Sequence, residues 1–240
     1  MLGADDMIIN WWNLLKINKS KIWEGAPTDF RQDAYSKFIL RPEWIWWHKS
    51  IGIPACQEYH QELVRLAHLQ ATGLSQIIDA NFALQTYIQN GNGKARCGKG
   101  WSDFFYIPHR IARQYRVLDS IAYERRLFLE MAVTNILRSL DLAENIVNIN
   151  GVYLPELGLA PTSDSAWRTY NRNISFIHPF KFGRADFDFD KFKAIVLEEK
   201  KYQCRYRYIV TFHFRCHVSM PLLFLFWVST VTLCAAPKAE

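Results

Sequence analysis

Apolar residues recur along this chain mostly at helical intervals, interrupted by short runs with strand character. Ile8, Ile9, Trp12 and Leu15 fall on one helical face, which predicts an amphipathic helix directly after the adjacent Asp5 and Asp6. A helix over 54–69 opens on Pro54, a residue suited to a first turn, and another is predicted over 74–88. "NGNGKARCGKG" then breaks the pattern and reads as a mobile surface loop. "SDFFYIP" has the β-propensity of a short strand. Two more helices are predicted over 109–121 and 125–140, the second carrying Leu127, Phe128, Met131, Val133 and Leu137. In "IVNINGVYL", Asn150 and Gly151 between apolar residues predict a hairpin. A last helix over 189–201 follows the acidic "ADFDFD". Strands and helices interleave without an internal repeat, so the expected class is α/β, a helix-rich mixed domain rather than a bundle or a sandwich.

Composition adds constraints. At 240 residues and 50% hydrophobic content the chain can bury a substantial core. Nine tryptophans are present, and Trp11, Trp12, Trp44, Trp46 and Trp47 crowd toward the start, where they pack a core or line a pocket. The formal charge of +6 is spread along the chain, with no basic arm and no nucleic-acid-binding signature. No nucleic-acid partner is expected; anionic small ligands such as diphosphates suit this balance. Cys56, Cys97, Cys204, Cys216 and Cys234 form no CxxC pair, which argues against a zinc ribbon and leaves any disulfide open. The first residues lack the basic region of a signal peptide. Residues 218–236 carry no charge and follow a basic, aromatic stretch. They could span or contact a membrane, form a buried hairpin, or be a tail foreign to the domain.

The candidate chemistry begins with Asp5 and Asp6. They either complement the N-terminus of the first predicted helix or hold a divalent cation. Far downstream, "FIHPFKF" presents His178 and Lys181 around a proline and an aromatic. A cation held by carboxylates and a histidine, with a lysine beside it, is what a nucleotide diphosphate leaving group requires. Other constellations are weaker. Asp186, Asp188 and Asp190 lack the glycine and glutamate of a calcium loop, and read better as an acidic helix entry. Cys204, His213, Cys216 and His217 have no zinc spacing. The four glycines of "NGNGKARCGKG" match no phosphate-loop pattern.

"ADDMIINWW", "SDFFYIPHR", "RRLFLEMAVTNILRSL" and "FIHPFKF", in this order, resemble the catalytic region of the STELLO-like family of glycosyltransferases, over roughly residues 3–200. The resemblance implies a GT-A-like, Golgi-resident domain that uses a nucleotide-sugar donor, an acceptor of unknown identity and Mn²⁺ or Mg²⁺. It assigns Asp5, Asp6 and His178 to the metal and Lys181 to the diphosphate. Asp103 or Glu130 would face the sugar or acceptor; the alternative for Glu130 is a surface charge paired with Arg126 at i−4. Trp44, Trp46 and Trp47 would stack on sugar rings or pack the core. A GT-A domain places a nucleotide-binding half ahead of its acidic motif, where this chain has four residues. The expectation is therefore a partial GT-A-like fold over 1–203, with impaired activity, followed by a basic then hydrophobic tail over 204–240. The competing expectation is a non-catalytic interaction or membrane-associated protein derived from such a domain. Two N-glycosylation sequons, at Asn18 and Asn173, would suit a lumenal location.

Overall fold

A computed structural model describes residues 2–3, 7–26, 28–74, 78–154, 167–179, 188, 190–191 and 193–194. In chain order the elements are β1 (Leu2–Gly3), β2 (Ile8–Ile9), α1 (Trp11–Leu14), β3 (Trp23–Glu24), β4 (Asp29–Asp33), α2 (Ile53–Ala71) and α3 (Ala80–Asn90). They continue with β5 (Arg96–Lys99), β6 (Phe104–Tyr106), α4 (Ala112–Glu124), α5 (Leu129–Leu140), β7 (Val147–Asn148), β8 (Gly151–Tyr153) and β9 (Phe176–His178). The class is mixed α and β with small sheets. The chain forms two compact units: Asn18–Ile149, and Met1–Ile17 together with Asn150–Glu240. No helix among the described residues is long and apolar enough to cross a membrane.

In the unit Asn18–Ile149, α5 is the central element. Every residue from Met131 to Leu140 is buried, and the helix packs on α3, α4 and β5 while α2 packs on α3 and α4. Polar residues on so enclosed a helix must find partners, and Asn135 does so by pairing with a strand. Its Nδ2 donates to the Gly98 carbonyl at 3.1 Å, and its Oδ1 accepts the Gly98 N–H at 3.3 Å. Gly98 is required at this close approach, because a Cβ there would collide with Thr134 and Phe30. β5 pairs antiparallel with β4, matching Asp29 with Lys99 and Gln32 with Cys97. A separate sheet sets β3 antiparallel to β6 and parallel to β7.

A disulfide joins Cys56 on α2 to Cys97 on β5, with the Cα atoms 6.1 Å apart and both side chains fully buried. The glycine-rich stretch expected to be a mobile loop is thus half strand: Arg96–Lys99 is fixed by pairing with β4, by Asn135 and by the disulfide. A second buried link is ionic. Arg138 Nη2 donates to Glu24 Oε1 at 2.9 Å and also to Thr28 Oγ1. Burial pushes the Glu24 carboxyl up, against the pull of Arg138 in the other direction.

The other unit holds the three-stranded sheet β2-β9-β8, with β9 antiparallel to β2 and parallel to β8. Ile8, Leu154, Ile174 and Ile177 form its core, with Val152, Trp167 and Tyr170 against them. The helix expected from Ile8 onward is instead a strand followed by a short helix. Ile8 and Ile9 align with Ile177 and Phe176, and sheet pairing outweighs the helical spacing. The N-cap of α1 is Asn10, and Asp5 and Asp6 lie outside the described residues. Asn10 Nδ2 donates to the Ile174 carbonyl at 2.8 Å, and its Oδ1 accepts from Tyr170 Oη–H at 2.9 Å.

The hairpin expected at Asn150–Gly151 does not form. β7 pairs with β3 and β8 with β9, so the two strands belong to different sheets and different units. Gly151 serves packing, because a Cβ there would enter the ring of the fully buried Phe176. Of the remaining expected helices, α2, α4 and α5 stand near their spans, whereas most of 189–201 lies outside the described residues. α3 begins later, at Ala80, because Asp79 caps it by accepting the Phe82 N–H. Asp188 likewise accepts the Lys191 N–H at 3.0 Å, in keeping with an acidic helix entry.

Candidate functional site

The chain leaves β5 at Lys99 and turns at Gly100 onto the first turn of α5. There the Gly100 N–H donates to the Glu130 carbonyl at 3.1 Å, and Thr134 Oγ1–H donates to the same oxygen at 2.9 Å. A side chain at residue 100 would clash with Thr28 and Thr134, so glycine is what lets the strand end approach the helix start. The chain continues through the half-exposed Trp101 to Asp103, just before β6. This path brings Asp103 and Glu130, 27 positions apart in sequence, into one electrostatic neighbourhood.

Glu130 is half-buried, and burial is the main cause that holds its carboxyl above the ordinary range, with the Asp103 charge adding to the rise. A carboxyl shifted in this direction can accept and hold a proton nearer neutral pH than an exposed one can. The alternative pairing with Arg126 does not fit the helix boundary. α5 starts at Leu129, and Arg126 lies before it in a turn with φ of 55°.

An aromatic and charged platform stands beside this loop. Trp44, Trp46 and Trp47 lie on or next to the 3₁₀ turn Ile45–His48. Trp47 is buried and packs edge-on against Trp44 at 4.8 Å, while Trp46 stacks on Phe128 at 4.4 Å. Phe128 is the N-cap residue of α5. The Lys99 ammonium sits over the Trp44 ring at 4.7 Å, a cation–π contact. Partial burial, then the Arg41 charge, holds the Lys99 ammonium below its usual range, with Asp29 and Glu43 opposing. Asp29, cross-strand from Lys99, is held below the ordinary range chiefly by Arg31, whose Nε lies 2.8 Å away.

His178, expected among metal ligands, is buried on β9, aligned with Tyr153 on β8, with its ring edge-on to Tyr153 at 5.7 Å. Asp5, Asp6 and Lys181 lie outside the described residues, as do Asp186, the Cys204–His217 group and 218–236. Among the described residues no three His, Cys, Asp or Glu side chains come together to hold a metal. Lys99, Asp29 and Trp101 were not singled out by sequence reasoning. For Lys99 the sequence offered no signal beyond a lysine set between two glycines in "CGKG".

Comparison with known proteins gives one informative likeness. The chain is 25% identical over 179 residues to a protein of Arabidopsis thaliana named "Probable glycosyltransferase STELLO2", an alignment that takes in 73% of this chain. The chain spans about 20% of the length of that relative. No protein-family profile matches the chain, and no solved structure does. The likeness is a distant one, to a protein named as a probable glycosyltransferase.

Proposed function

We propose that this chain is part of a glycosyltransferase that moves a sugar from a nucleotide-sugar donor to an acceptor hydroxyl. The observation that carries the reading is the 25% identity over 179 residues to a protein named as a probable glycosyltransferase. The surroundings of Glu130 support it. In the proposed step the acceptor oxygen attacks the anomeric carbon, the bond from that carbon to the diphosphate breaks, and the acceptor's proton passes to Glu130. Asp103 accepts hydrogen bonds from sugar hydroxyls. Trp44, with Lys99 over its ring, offers a face on which a sugar can stack.

By the same reading Asp5, Asp6 and His178 would hold a divalent ion, Mn²⁺ or Mg²⁺, and Lys181 would meet the diphosphate. Such an ion would supply charge neutralisation at the leaving group. A GT-A-like fold and a Golgi location are proposed with it. The buried Cys56–Cys97 disulfide supports the location, because such bonds persist in oxidising compartments such as the secretory lumen.

The test is to incubate the chain with a panel of nucleotide sugars, Mn²⁺ and simple acceptors, and to measure nucleoside diphosphate release. Release above the uncatalysed rate with at least one donor supports the reading. No release across the panel, combined with saturable binding of oligosaccharide, would favour the non-catalytic alternative.

A further inference from the structure

The two sequons meet different surroundings. Asn18, Lys19 and Ser20 are all exposed in a turn that begins the unit Asn18–Ile149. Asn18 Oδ1 accepts both the Ser20 N–H at 2.9 Å and the Ser20 Oγ–H at 2.7 Å. This closes an Asx turn and leaves the Asn18 Nδ2 pointing away from those bonds. The turn is fastened from beneath. Trp23 Nε1–H donates to the Asn18 carbonyl at 2.8 Å, Tyr106 Oη–H to the Lys19 carbonyl at 3.0 Å, and Arg110 Nε–H to the Ser20 carbonyl at 3.2 Å. Trp23 and Tyr106 are themselves packed ring to ring at 4.2 Å. All three anchors grip backbone oxygens, so the Asn18 and Ser20 side chains carry no packing duty.

At Asn173 the arrangement is reversed. Asn173 is exposed, but Ile174 and Ser175 are buried, and Ile174 belongs to the apolar core of its unit. The Ser175 carbonyl accepts the Asn10 N–H at 2.7 Å, which ties the residue into the run toward β9. The hydroxyl that a glycan transferase must recognise is enclosed there.

We infer that Asn18 is an N-glycosylation site of this protein and that Asn173 is not. The donor is a polyprenyl-diphosphate-linked oligosaccharide, and the catalyst is the host's oligosaccharide transferase. Asn18 Nδ2 forms a bond to the anomeric carbon, the carbon–oxygen bond to the diphosphate breaks, the amide loses one proton to the transferase, and the lipid diphosphate leaves. The Ser20 hydroxyl at 2.7 Å from Oδ1 polarises the amide that attacks. The inference rests on the lumenal location proposed above.

The experiment has two arms. In the first, the full chain is directed into the secretory lumen of a eukaryotic cell by an added cleavable leader, which removes dependence on the protein's own address. Expected is one glycan's worth of mass, sensitive to peptide-N-glycanase, lost in Asn18→Gln and in Ser20→Ala and retained in Asn173→Gln. Absence of the shift, or a shift that survives Asn18→Gln, overturns the inference. In the second arm the protein is isolated from its own cells and mapped for the Asn18 glycan and the Cys56–Cys97 link. Both are expected. A linked pair without a glycan overturns the site while sparing the compartment. Free thiols with no glycan overturn the compartment and the inference together.

Discussion

Removing the disulfide by the double substitution Cys56→Ala with Cys97→Ala is the perturbation whose size follows most directly from the fold. The bond closes a segment of sequence separation 41. In the chain-entropy description, opening it returns to the unfolded chain an entropy worth about 4 kcal/mol at 25 °C. Both sulfurs are fully buried between α2 and β5, so no gain in solvation offsets the loss. For a cooperative unit the size of Asn18–Ile149, a loss of this order lowers the melting temperature by roughly 10–15 °C. Differential scanning calorimetry of the two proteins, each checked for its thiols by peptide mapping, gives the answer. A drop below about 3 °C would refute the reasoning, as would alkylation of Cys56 and Cys97 without reductant.

Three further outcomes are expected. Arg138→Met strands a buried carboxylate on Glu24 and should cost about 3–5 kcal/mol by urea denaturation, whereas the double variant with Glu24→Leu should recover most of that loss. Glu130 has its folded pKa raised, so its contribution is fully present below the unfolded value near 4.5 and is lost as pH rises through the folded value; Glu130→Gln should therefore raise the melting temperature at pH 8 and change it least at pH 4, a contrast that thermal scans across pH would read. Gly151→Ala drives a methyl group into Phe176 and should destabilise its unit by about 1–3 kcal/mol, seen as faster amide exchange in β8 and β9.

What the sequence disclosed and what it hid divide along the range of the interactions. The helices α2, α4 and α5 were legible because each carries its own apolar face within its own span. Ile8 and Ile9 were misread because their partners, Ile177 and Phe176, lie over 160 positions away, and two residues are too few for a strand period to show. "ING" resembles a hairpin turn locally, yet Asn150 and Gly151 hand the chain from one sheet to another. "NGNGKARCGKG" resembles a loop because its glycines are permissive, whereas Gly98 and Gly100 are there for close approach to α5. At the candidate site, Asp103 and Glu130 were named through the family resemblance, the first at the start of a strand and the second a carboxylate within an apolar helical segment. Lys99 and Asp29 were not, since cross-strand register made them neighbours.

The central claim, that the Asp103–Glu130 pair serves sugar transfer, is tested most directly by comparing Glu130→Gln with the parent chain on whichever donor is turned over best. Mass spectrometry of the acceptor counts each sugar added. A loss of about 100-fold or more in the transfer rate is predicted, the size expected for a positioned proton acceptor, with the fold intact by circular dichroism. Equal transfer by Glu130→Gln and the parent would contradict the account.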